Sequence, residues 1–218
     1  MAQLIDIHTH QIEQNTQIRS IFNVRLPNRS PVPSTIHSVG WHPWDVEKLD
    51  VMKARQQFLD AVHDAEVVAI GECGLDRACR VPIKTQIPFF EFQVEHAKSL
   101  KLPLVIHCVK AYSEVFGILK RLKFENAVIF HGYRGNAYQT KTLLKLNAYF
   151  SVGIRKEFID TSLLTYIPIE RLFLETDDSK QSIKTVYHLV TKEMNWNFNG
   201  LKKHIFNNYK QIFEDGMA

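Results

Sequence analysis

The stretch Val67-Val-Ala-Ile-Gly-Glu72 is an apolar run that ends on a carboxylate. A short run without polar alternation reads as a strand buried on both faces, as in a parallel sheet. The same form recurs at Leu4–His8, Ser20–Val24, Thr35–Gly40, Leu104–His107, Ala127–His131, Ala148–Val152 and Leu172–Asp177. Between the later runs the apolar residues take helical spacing. Ile87, Phe90, Val94 and Ala97 share one face, as do Val115, Ile118 and Leu122, and later Leu201, Ile205, Tyr209 and Ile212. Strands alternating with amphipathic helices predict an α/β protein, and eight of them predict a (β/α)8 TIM-type barrel. The barrel is expected to be distorted. Gln11–Arg19 is a weak helix at best, and Leu26–Ser34 carries Pro27, Pro31 and Pro33, so the first two crossover helices reduce to loops. The alternative is an open doubly wound sheet in which one or two early strands are false.

The chain has 218 residues, which predicts a single domain spanning 1–218. Its hydrophobic fraction of 45% is enough for a buried core and excludes wholesale disorder. Lys+Arg 27 against Asp+Glu 23 gives +4, which permits an anionic substrate without demanding one. Three cysteines imply no disulfide framework. Asp6 interrupts the first apolar stretch, against a signal peptide, and no run approaches the roughly 18 apolar residues that span a bilayer. A cytoplasmic protein is expected, with no membrane association and no obligate protein partner.

Several predicted strands end on residues that ligate metals. The first gives His8 and His10, the fourth Glu72, the fifth His107, the sixth His131 and the eighth Asp177. In a parallel barrel these C-terminal ends share one rim. Alternate strand residues point the same way, so inward His8 and His10 bring Asp6 inward, and inward Asp177 brings Glu175. Each residue alone has an ordinary explanation. A strand-end His is usually a hydrogen-bonded structural residue, Glu72 could pair with a Lys, and Asp177 could cap a following helix. Together they are hard to bury without a cation. Imidazoles and carboxylates in this number suit Zn, Mn, Fe or Mg.

These residues resemble the TatD-like metal-dependent hydrolases of the amidohydrolase superfamily. The matches are Asp6-Ile-His8-Thr-His10, Gly40-Trp-His42-Pro43, Gly71-Glu72-Cys-Gly74-Leu-Asp76, Leu104-Val-Ile-His107, Phe130-His131-Gly-Tyr-Arg-Gly135, Phe150-Ser-Val-Gly153 and Leu174-Glu175-Thr-Asp177. Asn207 with Ile212-Phe213 is similar to the family's closing helix. The resemblance implies a hydrolase with two divalent metal ions (Zn, Mn, Mg or Fe). His8, His10, Glu72 and Asp177 would hold one ion, and Glu72 would bridge to a second held by His107 and His131. Glu72 and Asp177 are then the catalytic carboxylates, with Asp177 orienting or deprotonating the attacking water. Family members are chiefly deoxyribonucleases, so DNA or another phosphoester is the implied substrate.

The chain departs from the family around the substrate. Val109 stands where an Arg is common, and Gly132-Tyr-Arg134-Gly135 replaces Cys-Phe-Ser-Gly. Arg134 is therefore a candidate phosphate contact, with Lys110 and His42 as further substrate contacts. Glu175 is read as a carboxylate that hydrogen-bonds a ligand His, and Asp6 as a supporting carboxylate. Arg77, Arg155 and Lys156 are either steering charges or solvated surface. Trp41, Trp44 and Tyr133 either stack a base or pack. Asp76 reads as structural, and Cys73, Cys79 and Cys108 as thiols without a ligand role. Competing functions keep the site and change the bond, to a small phosphoester or another ester or amide. A non-catalytic metal-bound binding protein is the alternative from another class. The PHP phosphoesterases share the opening Asp-x-His-x-His but need more His and Asp ligands than this chain offers.

Overall fold

A computed structural model describes residues 2–27, 35–154 and 159–215. Eight strands form one sheet in the order β1 to β8, and every resolved pairing is parallel. They are β1 (Leu4–Thr9), β2 (Ile18–Leu26), β3 (His37–Trp41), β4 (Val67–Asp76), β5 (Leu104–Val109), β6 (Val128–Phe130), β7 (Ala148–Gly153) and β8 (Leu172–Glu175). The α-helices are α1 (Val51–Val62), α2 (Ile83–Ser99), α3 (Tyr112–Arg121), α4 (Ala137–Leu143), α5 (Ile183–Met194) and α6 (Phe198–Phe213). The architecture is the (β/α)8 TIM-type fold. Each run expected to be a strand is one, so the open-sheet alternative falls. No helix joins β1 to β2 among the described residues, as expected. Pro31 and Pro33 of the second crossover lie outside the described residues, as do Arg155 and Lys156. No described helix is long and apolar enough to cross a membrane.

The chain divides into two compact units, Met1–Phe22 with His131–Ala218, and Asn23–Phe130. In the first unit β1 lies beside β8. The Asp177 N–H donates to the His8 carbonyl at 3.0 Å and the His10 N–H to the Asp177 carbonyl at 3.3 Å. The core here is Ile5, Ile7, Phe150, Phe173, Val186 and Ile205. Tyr187 of α5 exchanges hydrogen bonds of 3.2 Å with the backbone N–H and carbonyl of Ile5 through its hydroxyl. Helix α5 is capped by Ser182, whose hydroxyl accepts from Thr185 N–H, and by Asn195, a left-handed residue at φ 52°. Asp177 is therefore no helix cap. On α6, Leu201, Ile205, Tyr209 and Ile212 are buried as the spacing predicts. Asn208 rather than Asn207 makes the buried contact, donating to the carbonyls of Ile169 and Leu172.

In the second unit β4 pairs with β3 and β5. Two glycines allow that packing. A Cβ on Gly71 (φ +154°) would sit 2.4 Å from the Val105 carbonyl oxygen, and one on Gly74 (φ +142°) 2.0 Å from that of His107. Both distances are far inside contact, so only glycine fits. Helix α1 begins at Asp50, whose carboxylate accepts from the N–H groups of Met52 and Lys53. Helix α2 buries Phe90, Val94 and Ala97, while Ile87 is only half-buried. It also buries Gln86 and Gln93. Gln93 Oε1 accepts from the Trp41 N–H at 2.8 Å, and Gln86 Oε1 accepts from the Asp76 N–H at 2.8 Å. These amides satisfy backbone groups at the ends of β3 and β4, which would otherwise cost about 1–3 kcal/mol each. On α3 the buried face is Val115, Ile118 and Leu119, because the helix ends before Leu122.

Candidate metal centre

The first unit gathers His8, His131 and Asp177. His8 is fully buried at the C-terminal part of β1, His131 is buried just past β6, and Asp177 follows β8 in a left-handed conformation at φ 51°. One ligand atom from each lies within 4.8 Å of the others. The rings of His8 and His131 are 4.3 Å apart. Asp177 Oδ1 is 3.7 Å from His8 Nε2 and 3.4 Å from His10 Nε2. His10 also approaches the exposed Asp178 at 3.9 Å.

Two carboxylates brace this cluster from behind. Asp6 accepts from the Thr176 N–H at 2.9 Å and from its hydroxyl at 2.6 Å, fixing the residue before Asp177. Burial pushes the Asp6 carboxyl up to about 7, against the hydrogen bonds from Thr176 that favour its ionised form. Glu175 is almost wholly buried, accepts from the Gly132 N–H at 2.7 Å and lies 3.7 Å from His131 Nδ1. That separation is ionic contact, longer than a hydrogen bond. Among the described residues its other oxygen, Oε2, has no hydrogen-bond partner.

The second unit gathers His42, Glu72 and His107, again with ligand atoms within 4.8 Å. Glu72 Oε1 is 3.1 Å from His42 Nε2 and 3.0 Å from His107 Nδ1. The other ring nitrogen of His107 is 3.2 Å from Asp76 Oδ2. Both ring nitrogens thus face a carboxylate; with a metal ion taking Nδ1, Asp76 would accept the proton held on Nε2. Asp76 also accepts from Trp44 Nε1 at 2.6 Å and from the N–H groups of Ala78 and Cys79. Burial alone would raise its carboxyl; the bonds from His107, Trp44 and Ala78 outweigh it and hold the group well below the usual carboxylate range. Burial draws the His42 imidazole below its ordinary value despite Glu72 beside it, favouring the neutral form that binds metals.

Glu72 is itself held by Asn23. The Glu72 N–H donates to Asn23 Oδ1 at 2.9 Å, and Asn23 Nδ2 donates to Glu72 Oε2 at 3.3 Å. The Ser38 hydroxyl donates to the same Asn23 oxygen at 3.2 Å. Sequence reasoning missed Asn23, although an amide inside an apolar strand was a visible signal. It read Asp76 as structural, and the carboxylate does hold the following turn at Ala78 and Cys79 while also contacting His107.

His42 is buried beside Glu72, so the structure puts it in a ligand cluster and not on an open surface. Lys110 is exposed just past β5 at φ 52°, and Arg134 is exposed on the loop after β6. Arg77 pairs with Glu114 through Nε at 2.7 Å. Trp41 and Tyr133 are core residues, 1% and 2% exposed, which removes them as base platforms; Trp44 is 50% exposed. Cys73 is buried, with Sγ facing the Val105 carbonyl, and all three cysteines are free.

The donor sets, imidazole nitrogen with carboxylate oxygen in threes, fit divalent Zn, Mn or Fe, with carboxylates that also suit Mg. A barrel carrying such clusters at the ends of its strands defines a metal-site protein of the TIM-type class. The family model described as TatD related DNase matches residues 23–214, and the chain belongs to this family. The human 3'-5' RNA nuclease TATDN2 is 34% identical over 153 residues, 63% of this chain and 19% of that protein. The metal-dependent hydrolase YabD of Bacillus subtilis is 33% identical over 147 residues, 64% of this chain and 57% of that one. The chain thus spans less than two thirds of the length of either relative. The crystal structure of YJJV, a TatD homologue of Escherichia coli K12, superposes with a TM-score of 0.79 at 20% identity, covering 96% of this chain and 97% of that one. That likeness establishes the fold.

Proposed function

We propose that the protein is a metal-dependent phosphodiesterase that hydrolyses nucleic-acid ends, with both units acting as one domain. The observation that carries the reading is the pair of imidazole–carboxylate clusters, His8/His131/Asp177 and His42/Glu72/His107, in a TatD family chain. The proposed ligands are His8, His10, Glu72, His107, His131 and Asp177, serving two ions, with His42 added because it shares Glu72 with His107. Bound divalent ions supply positive charge for the phosphoryl oxygens and acidify water.

The side chains do the rest. Asp177, the ligand-set carboxylate left partly open to solvent, takes the proton of the attacking water. Asp76 keeps His107 in one tautomer, and Asn23 keeps Glu72 in one rotamer. Asp6 and Thr176 hold the backbone that presents Asp177. Arg134 and Lys110 supply phosphate contacts from the loops. Three free thiols fit a reducing compartment, and the cytoplasm is the proposed location.

The test is cleavage of end-labelled single-stranded DNA and RNA by Mn- or Mg-loaded protein, against small phosphoesters and carboxylic esters. Nucleotide release that disappears in Asp177→Ala, with an unchanged circular dichroism spectrum, supports the proposal. Turnover of only the small esters, or of none, overturns it.

A further inference from the structure

Trp44 stands out in the second unit. It is a large aromatic residue that is half exposed, yet it is fixed on several sides. Its Nε1 donates to the buried Asp76 at 2.6 Å. Its ring meets His42 edge-on at a centroid distance of 4.7 Å, and His107 at 5.8 Å. The Arg25 guanidinium lies 5.7 Å from the ring centroid and is anchored in turn by a two-point ion pair with Asp45. The backbone N–H of Trp44 donates to His42 Nδ1 at 3.2 Å. An exposed tryptophan that served only to pack would gain nothing from this support. A rigid one costs little entropy when a flat ligand lands on it.

We infer that the exposed surface of the Trp44 indole is a stacking platform for a nucleobase of the substrate, adjacent to the phosphate bound at His42, Glu72 and His107. The inference rests on the phosphodiesterase reading and adds the group that recognises the base. Three features select a base over other apolar ligands. The platform directly touches two imidazoles of a candidate metal cluster, so a ligand on it lies next to a phosphate held there. The neighbouring Arg25 lies over the ring and is committed to Asp45, which leaves the open half of the indole, and not that cation, as the recognition element. Stacking needs no base edge, so every base is accepted, as an end-trimming nuclease requires. The platform also favours a single strand, because a base in a duplex is already stacked on its neighbours.

The experiment is binding, read by fluorescence anisotropy of a labelled, cleavage-resistant phosphorothioate oligonucleotide on metal-loaded protein. A matched oligonucleotide with an abasic terminal nucleotide is measured beside it. The wild-type protein should prefer the base-bearing strand by about 5- to 100-fold, the range of one aromatic–base stack. In Trp44→Ala that preference should fall to within about twofold of unity. Trp44→Phe keeps a ring without the donor to Asp76 and should retain most of it. If Trp44→Ala weakens both strands equally and leaves the ratio intact, the indole acts only by positioning Asp76, and the inference is overturned. The abasic comparison reads binding alone. Absence of cleavage with the preference intact would therefore sink the phosphodiesterase reading and leave the platform standing.

Discussion

Replacing Asn23 by Ala tests whether a buried amide sets the geometry of Glu72. Asn23 is 3% exposed and Glu72 5%, so water cannot replace what is lost. The change deletes the acceptor for the Glu72 N–H, 2.9 Å away, and the donor to Oε2, 3.3 Å away. An orphaned buried N–H costs about 1–3 kcal/mol, and the longer bond to the carboxylate adds to it. The Ser38 hydroxyl loses its acceptor too but can rotate. The sum is about 2–4 kcal/mol. For a chain of this size each kcal/mol moves the melting temperature by about 2–4 °C, so Asn23→Ala should melt about 4–16 °C lower. Metal affinity should fall about 10- to 100-fold, as for other losses of a group that orients a ligand. Thermal melts with chelator and with Mn, and isothermal titration of Mn, measure both. Asn23→Asp separates the two bonds: it keeps an acceptor for the N–H and faces Glu72 with a second carboxylate. A melting point within about 2 °C of wild type together with unchanged Mn affinity would refute the reasoning.

Two further substitutions address the same cluster. Asp76→Asn keeps an oxygen for the Ala78 and Cys79 N–H groups but no longer fixes the His107 tautomer; Mn affinity should drop about tenfold or more while the fold persists, and unchanged affinity in titration would exclude the orienting role. Gly74→Ala places a methyl 2.0 Å from the His107 carbonyl oxygen, a clash with backbone that cannot yield cheaply. It should cost more than about 3 kcal/mol, seen as insoluble expression or a melting point lower by 6 °C or more at about 2 °C per kcal/mol.

The strands were legible because each is buried on both faces, and an apolar run with a ligand at its end records that burial directly. Strand ends were less so. β4 runs on past Glu72 to Asp76, because Gly71 and Gly74 let its backbone touch β5 at Val105 and His107. Gln86 and Gln93 were not legible as structural residues, and the amide of Asn23 was visible without its partner. Each is polar, buried and bonded to backbone or side chains on distant strands, and apolar periodicity has no term for such partners. The alternative that Asp177 caps a helix falls because the helix that follows is capped five residues later, by Ser182. His42 reads as a substrate contact on the rim, and only the folded chain shows its Nε2 3.1 Å from Glu72.

Ligands and substrate contacts differ in what encodes them. A side chain on a buried strand has its direction limited by parity, so His8, Glu72 and His107 could be picked out as candidates from spacing, although the ladder shifts register between Asp6 and Thr9 and between Ile70 and Cys73. Loop residues have no such constraint, and Arg134 and Lys110 are exposed where the ladder has ended. Trp44 is a loop residue that the cluster itself fixes. One oxygen of Asp76 is 2.6 Å from the indole nitrogen and 3.2 Å from His107 Nε2, so a single carboxylate sets both the platform and the ligand. Whatever moves the indole therefore disturbs the carboxylate that contacts His107. In this unit the proposed base platform and the proposed phosphate site share one hydrogen-bonded carboxylate, Asp76.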